Sequence, residues 1–458
     1  MARNAAATVT AEATAGDGGV VPGSGLRLLS PQEIATVEEV FERAVSMLAD
    51  EDRSLAQVTS LLPLLRSGVG LHHSGLLPLL REVVELLFTE GMLRVLIATE
   101  TLAMGLNLPA RTVVFASTQK FDGTTSRLIQ PTEYTQMSGR AGRRGQDSQG
   151  YSVLLMSHHL SADEGEEMLS RRFKELNSRF SLRFSTMLKL MRTEGVSALT
   201  ILERTFRTFQ LARERRRRAA RRHTVAEQLR ILPLCVLGES EVAQDICAQT
   251  ADPRIACMRR MLERLEYVNS DDVLLLKGRA ACCIEASDEL LLVEVIVDGV
   301  LNELSTAETV AVLACLLPGQ RVAKSSLGTS YSLPLPTAAL DRAIAAIKQT
   351  NERLKRLAAE FALEPTVGMD ERDDLSTELV AAVLAWASGA SFEQCWLLSP
   401  STYEGTLVRH LKALDEMLLQ LADAASALGN QPLRERFLDG RAAVHRGIAF
   451  ANSLYLSS

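Results

Sequence analysis

Apolar residues recur at helical spacing soon after the start of the chain. Ile34, Val37, Val40, Phe41, Ala44 and Met47 share one face of the stretch from Ser30 to Asp50. Ser30-Pro-Gln-Glu opens that stretch with a capping serine, a first-turn proline and a glutamate at the third position. A second helical pattern, Leu76–Glu90, runs through Gly91 into Leu93–Ala98, a short apolar run suited to a buried strand. Thr112–Ser117 and Tyr151–Met156 are two more such runs. Helices alternating with short buried strands predict a parallel sheet covered on both faces, ending near residue 157.

Beyond about residue 160 the strand pattern fades. Leu169–Leu211 reads as several helices and leads into Arg213–Arg222, where seven of ten residues are arginine. Ala256–Tyr267 is a short amphipathic helix, followed by an Asn269-Ser-Asp-Asp turn and the apolar Val273–Leu276. These are the ingredients of a winged-helix module. From Ser287 to Leu456 the pattern is helical, with Leu- and Ala-rich stripes broken at Pro318, Pro334, Pro336, Pro365, Pro400 and Pro432. A helical bundle is expected there.

The 458 residues leave room for roughly two to four domains. The net charge of −6 excludes a dedicated polyanion binder, so any nucleic-acid surface must be a local basic patch. The seven cysteines are odd in number and irregularly spaced, with no CxxC pair. That pattern argues for reduced thiols in an intracellular protein, against a disulfide frame and against a zinc site. No run of roughly 18 apolar residues predicts a membrane span. Residues 1–25 hold Arg3 as their one basic residue and lack a long apolar stretch, so a disordered leader is expected, not a targeting segment.

Candidate chemistry concentrates in three segments. Residues 136–145, Gln-Met-Ser-Gly-Arg-Ala-Gly-Arg-Arg-Gly, place Arg140, Arg143 and Arg144 among three glycines just before the last strand pattern. Arginine presents a rigid fork to phosphate oxygens and can stabilise charge developing on a transferred phosphoryl group. A solvated basic loop is the other reading. Residues 98–109, Ala-Thr-Glu-Thr-Leu-Ala-Met-Gly-Leu-Asn-Leu-Pro, follow a strand, where open α/β sheets place ligands. Leu71-His-His-Ser-Gly-Leu-Leu-Pro sits at the start of a helix, a natural anion site. No carboxylate and third histidine accompany His72 and His73 at metal spacing, so no metal is expected.

Together these segments resemble the second RecA-like domain of superfamily-two helicases. More narrowly, they resemble the exosome-associated DExH-box RNA helicases of the superkiller and mRNA-transport-regulator type. Gly68–Pro78 is similar to that family's element on the RNA face, Ala98–Val113 to motif V and Gln136–Gly145 to motif VI; Lys120-Phe-Asp-Gly also fits. Lys277-Gly-Arg-Ala-Ala-Cys, Ser287-Asp-Glu-Leu-Leu-Leu, Trp386-Ala-Ser-Gly-Ala-Ser-Phe and Ala451-Asn-Ser-Leu-Tyr-Leu resemble the family's helical DSHCT domain. The likeness covers roughly residues 26–211 and 252–458.

The resemblance implies roles. Arg140 and Arg143 would face the γ-phosphate of ATP, with Arg143 as the finger and Gln136 beside the nucleotide. Thr99 and Gly105 would contact the RNA backbone, and Asn107 would link that contact to the nucleotide. His72 and Gly75 would border the RNA path. The helix after Tyr403-Glu-Gly resembles the ratchet helix, making Arg409 and Lys412 candidate RNA contacts; an ordinary bundle helix is the alternative. The expected fold is an α/β RecA-like domain with an incomplete parallel sheet (26–157). A winged-helix region with a reduced arch (158–276) and a helical bundle (277–458) would follow it.

Absences matter as well. The chain contains no Gly-Lys dipeptide, hence no phosphate-cradling loop of the GxxxxGK[S/T] kind. Asp370-Glu-Arg-Asp matches an acidic box by letters alone and follows Pro365-Thr-Val-Gly-Met, not a buried strand. The family's first strand of this domain is not found, which would leave an exposed sheet edge. Only about forty residues separate Phe209-Gln from Asp252-Pro-Arg, where the family carries a long arch. The arginine run there reads either as an RNA contact or as one end of a solvated helix. Two functions are therefore expected to compete. One is the C-terminal half of a 3′–5′ RNA helicase, using ATP and Mg²⁺ only with a first RecA-like domain. The other is a non-enzymatic module binding RNA or exosome adaptors. The setting would be nuclear, or cytoplasmic if the chain is of the superkiller type.

Overall fold

A computed structural model of the chain describes residues 28–103, 108–121, 126–155, 160–170, 176–178, 180–193, 198–231, 253–317, 335–363, 375–399 and 402–456. The expected leader, Gly105, Asn107 and the Asp370–Asp373 tetrad lie outside the described residues.

The predicted first helix forms as α1 (Pro31–Ser46) with the expected capping box: Ser30 Oγ accepts from the Glu33 N–H, and Glu33 Oε2 accepts from the Ser30 N–H. Its apolar face buries Val37, Phe41 and Ala44 against α2 (Ala56–Arg66) and α3 (Pro78–Thr89). Between α2 and α3 runs β1 (Val69–His72), and after α3 comes β2 (Val95–Ala98). The two strands pair in parallel, Val69 opposite Val95 through His72 opposite Ala98. Then follow β3 (Thr112–Phe115), an antiparallel hairpin of β4 (Gln119–Phe121) and β5 (Ser126–Leu128), α4 (Pro131–Ser138) and β6 (Tyr151–Leu154). β6 pairs in parallel with β3.

The expected covered sheet is thus present as two parallel pairs, with no hydrogen bonds between them among the described residues. Parallel strands are normally buried on both faces. Here Val95, Val114, Tyr151 and Val153 are 42–56% exposed, so these pairs lack neighbours that a full sheet would supply. Phe115, Ile129 and Met168 make a small separate core under β3 and α4.

Short helices follow: α5 (Ala162–Leu169), α6 (Phe184–Met191) and α7 (Ala198–Glu203). The long α8 (Phe206–Ile231) carries the arginine run, and α9 (Pro253–Arg264) matches the predicted amphipathic helix. The apolar Val273–Leu276 forms only a single bridge, Leu274 to Val268, because Leu276 already begins α10 (Leu276–Ala281).

The remainder is helical: α11 (Glu289–Val297), α12 (Thr306–Leu313), α13 (Ala338–Glu360), α14 (Val380–Ala387) and α15 (Phe392–Leu397). Finally α16 (Glu404–Ala427) and α17 (Gln431–Val444) pack as a hairpin about Gly429, whose φ of 75° suits the residue after a helix. Among the described residues no helix is long and apolar enough to cross a membrane.

α11 is buried around its circumference and carries two glutamates inward. Glu294 is compensated by Lys277 Nζ at 2.9 Å, Arg353 Nη2 at 3.0 Å and the Tyr267 hydroxyl at 3.2 Å. Glu289 has no comparable set: burial, helped by Asp288, raises its pKa from 4.5 to about 7. The folded chain therefore keeps this proton after the unfolded chain has released it, and stability falls as pH rises from 4.5 to about 7. Glu289→Gln should raise stability at pH 8 by on the order of 2–3 kcal/mol and change little at pH 4.5. Thermal melts at both pH values check this, and equal melting of variant and parent at pH 8 would refute it.

Candidate functional site

Two of the chemistry-bearing segments are clasped together by backbone. The first leaves the carboxyl end of β2, where the Thr99 N–H donates to His72 O at 3.1 Å and a 3₁₀ turn, Glu100–Ala103, begins. From Leu108 onward the chain runs against the arginine segment. The Ala110 N–H donates to Arg140 O at 2.9 Å, the Gly142 N–H donates to Ala110 O at 2.7 Å, and Ala110 bridges Ala141 in parallel. Glycines make this approach possible. Gly142 has a φ of 93°, and a Cβ on Gly150 would lie 2.6 Å from the carbonyl of Ala141.

Gln136 and Arg140 lie one turn apart at the end of α4 and just beyond it, the first exposed and the second partly buried. Arg143 follows on the glycine turn, 45% exposed, with a forked pair to Asp147: Nε to Oδ2 and Nη2 to Oδ1, both 2.9 Å. The Arg143 N–H also donates to Asp147 Oδ2 at 2.9 Å. This guanidinium and backbone pairing hold the Asp147 carboxyl far below the usual range and raise Arg143 in turn. Asp147 does not stand out in the sequence, although it sits four residues after Arg143.

α4 is anchored by a second charge cluster. Lys120 Nζ lies 2.6 Å from Glu100 Oε2 and 3.0 Å from Glu133 Oε1, while Arg127 forks onto Glu133 at 2.8 and 2.9 Å. Arg127, followed by the Gln130 N–H and Lys120, pulls the Glu133 pKa down to about 2 despite its partial burial. The lysine of Lys120-Phe-Asp-Gly thus ties the turn after β2 to the helix that leads into the arginines.

The residues expected beside RNA are distributed differently. Thr99 is exposed, its hydroxyl 2.9 Å from that of Thr101. His72 is only 4% exposed: Nε2 lies 2.8 Å from Glu85 Oε1, and the other oxygen of Glu85 accepts from the Tyr455 hydroxyl at 3.0 Å. Burial, and secondarily His72, hold the neighbouring His73 below its usual pKa. Gly75 is buried as well, in a joint with the N-terminus of α16. Its carbonyl accepts from the Gly405 N–H at 3.1 Å and from Gln57 Nε2 at 2.8 Å. Gln57 also donates to Glu404 Oε2 at 2.8 Å and accepts from the Leu77 N–H at 2.9 Å. His72 and Gly75 therefore face packed protein, not an open path, and only a tertiary fold could reveal this.

On α16, Lys412 is exposed and Arg409 is half-buried. Arg409 Nη2 donates to Thr406 Oγ1 at 3.0 Å; burial and the nearby positive charge of Arg81 lower its pKa. Among the described residues no group of three or more His, Cys, Asp or Glu side chains is arranged to hold a metal.

The profile of the family described as "Helicase conserved C-terminal domain" matches residues 36–145, which contain both clasped segments. That of the "DSHCT (NUC185) domain" matches residues 271–451, the helical part. The chain therefore joins the RecA-like C-terminal lobe of a helicase to a DSHCT domain. It is a relative of the exosome-associated DExH-box RNA helicases. It is 27% identical to "Exosome RNA helicase MTR4" of Homo sapiens over 93% of this chain and 60% of that protein. To "Superkiller complex protein 2" of Mus musculus it is 42% identical, over 41% of this chain and 15% of that protein. To "DExH-box ATP-dependent RNA helicase DExH9" of Arabidopsis thaliana it is 44% identical, over 42% of this chain and 19% of that protein. The chain spans about 60% of the length of the curated relatives that match it almost throughout.

Proposed function

We propose that residues 1–458 supply the arginine side of the ATP site and part of the RNA path of a 3′–5′ RNA helicase that works with the exosome. The observation that carries this reading is the clasp of Ala110 against Arg140–Gly142, which makes the RNA-side and nucleotide-side segments one unit. Arg140 and Arg143 act on the γ-phosphate, Gln136 lies beside the nucleotide, and Asn107 connects the two sides. ATP and its Mg²⁺ are held by a phosphate loop and acidic box from polypeptide other than these residues. Thr99, Gly105, Arg409 and Lys412 contact the RNA backbone, while His72 and Gly75 shape the path from behind. The partners are RNA and the exosome or its adaptors, in the nucleus or, for a superkiller type, the cytoplasm.

The second reading is an RNA- or adaptor-binding module without hydrolysis, favoured by Arg143 being already paired with Asp147. The test compares this chain alone with a fusion behind the first RecA-like domain of a similar helicase. RNA-stimulated ATP hydrolysis by the fusion, and none by the chain alone, is expected. A folded fusion that binds RNA and never hydrolyses ATP would overturn the enzymatic reading and leave the module.

A further inference from the structure

α8 is a charged rod with no apparent use in the site described above. Every residue from 211 to 225 is exposed, a length of about 22 Å at helical rise. Within it, residues 213–222 carry seven arginines against one glutamate, on a protein whose overall charge is −6. At 3.6 residues per turn these arginines fall on all sides of the helix, not along one stripe. Glu214 pairs with Arg218. Among the described residues, Arg213, Arg216, Arg217, Arg221 and Arg222 have no carboxylate partner. Arg213 and Arg217, Arg217 and Arg221, and Arg218 and Arg222 are each four apart, so like charges face one another along an exposed helix. Such pairs destabilise a helix unless counter-charge is supplied.

We propose that α8 is a second RNA-binding element, which grips the phosphate backbone without reading sequence. The chemistry of the surface selects this ligand. A protein partner recognising a helix needs apolar anchors at positions such as i, i+4 and i+7. Here the exposed stretch offers Leu211 and Val225 at its two ends and alanines between. Base stacking needs aromatic side chains. α8 carries Phe206 and Phe209, exposed and stacked on each other, only at its start, and residues 210–231, which hold the arginine run, contain no Phe, Tyr or Trp. Arginine forks without anchors or stacking platforms match phosphate oxygens. Regular phosphates along an RNA strand would also relieve the repulsion within the helix. The choice of RNA over other polyanions rests on the helicase reading; the grip itself does not need ATP.

The test uses the full chain and the variant in which Arg213, Arg216, Arg217, Arg221 and Arg222 are all glutamine, a good helix former. Affinity for a single-stranded RNA of mixed sequence is measured by fluorescence anisotropy across a salt series, with circular dichroism as the control for folding. The expected result is at least a tenfold weaker affinity near 0.1 M salt. The salt slope should be shallower by about 3.5, from roughly 0.7 per lost phosphate contact. Two unrelated RNA sequences should respond alike. An unchanged slope and affinity in a folded variant would overturn the proposal. So would an acidic polypeptide of matched charge that displaces RNA at equal concentration of charge, since α8 would then be a general polyanion surface. Failure of the helicase reading is separable: it abolishes hydrolysis in the fusion and leaves the salt slope of this chain intact.

Discussion

Arg143→Ala, placed in the fusion that holds ATP, should lower RNA-stimulated hydrolysis by about 10³-fold or more, the range in which arginine fingers act. RNA affinity should stay within a few fold, because the RNA-side residues sit on other segments. The geometry explains both halves of this expectation. Arg143 emerges from a glycine turn braced by Gly142 and Gly150, so its Cα is fixed while its guanidinium is exposed. In the resting chain that guanidinium is held by Asp147, and engagement of a phosphate requires exchanging one set of oxygens for another. Asp147 thus holds the Arg143 fork in one geometry through two side-chain hydrogen bonds. Steady-state hydrolysis and anisotropy on the same samples provide the check. Equal losses of hydrolysis and RNA affinity would count against the finger assignment.

Gly405→Ala should be the most damaging small substitution in the helical part. A Cβ there would lie 2.2 Å from Leu76 O and 2.8 Å from Gly75 C, backbone atoms that cannot swing aside. Accommodating it requires moving the loop that Gln57 braces with two hydrogen bonds while a third ties Gln57 to Glu404. A cost of about 2–3 kcal/mol is expected, in the upper range of overpacking effects. Hydrogen exchange should accelerate first at residues 73–77 and 403–409, before global unfolding. A variant with parental melting and unchanged exchange in those segments would mean that the joint is not tight.

The two joints differ in how far they could be read from sequence. The α1 cap, α3, the strands β2, β3 and β6 and the helical bundle were legible because periodicity and capping are local. The resemblance marked both segments, but the clasp of Ala110 on Ala141 was not legible, since thirty residues of hairpin and helix intervene. The enclosure of Gly75 was not legible, because it depends on Gly405 and on a glutamine whose partners come from two segments distant in sequence. Nor was the burial of His72, whose neighbour Glu85 comes from the middle of α3 and looks on sequence like one more charge on an amphipathic helix. Apolar runs likewise located β2, β3 and β6 but not β1, the β4–β5 hairpin or the break between the two pairs, because strand partners are set by tertiary packing.

The end of α3 has one further consequence. Glu82 and Glu85 receive the Leu454 N–H at 2.7 Å and the Tyr455 hydroxyl at 3.0 Å, the latter across 370 residues of chain. At roughly 5–20 residues per second of synthesis, those partners emerge about 20–75 s after Glu85 does. Throughout that delay the nascent α/β part carries the His72–Glu85 pair without Tyr455 against it. The closing of α3 by residues 454 and 455 is therefore expected among the last steps of folding during synthesis.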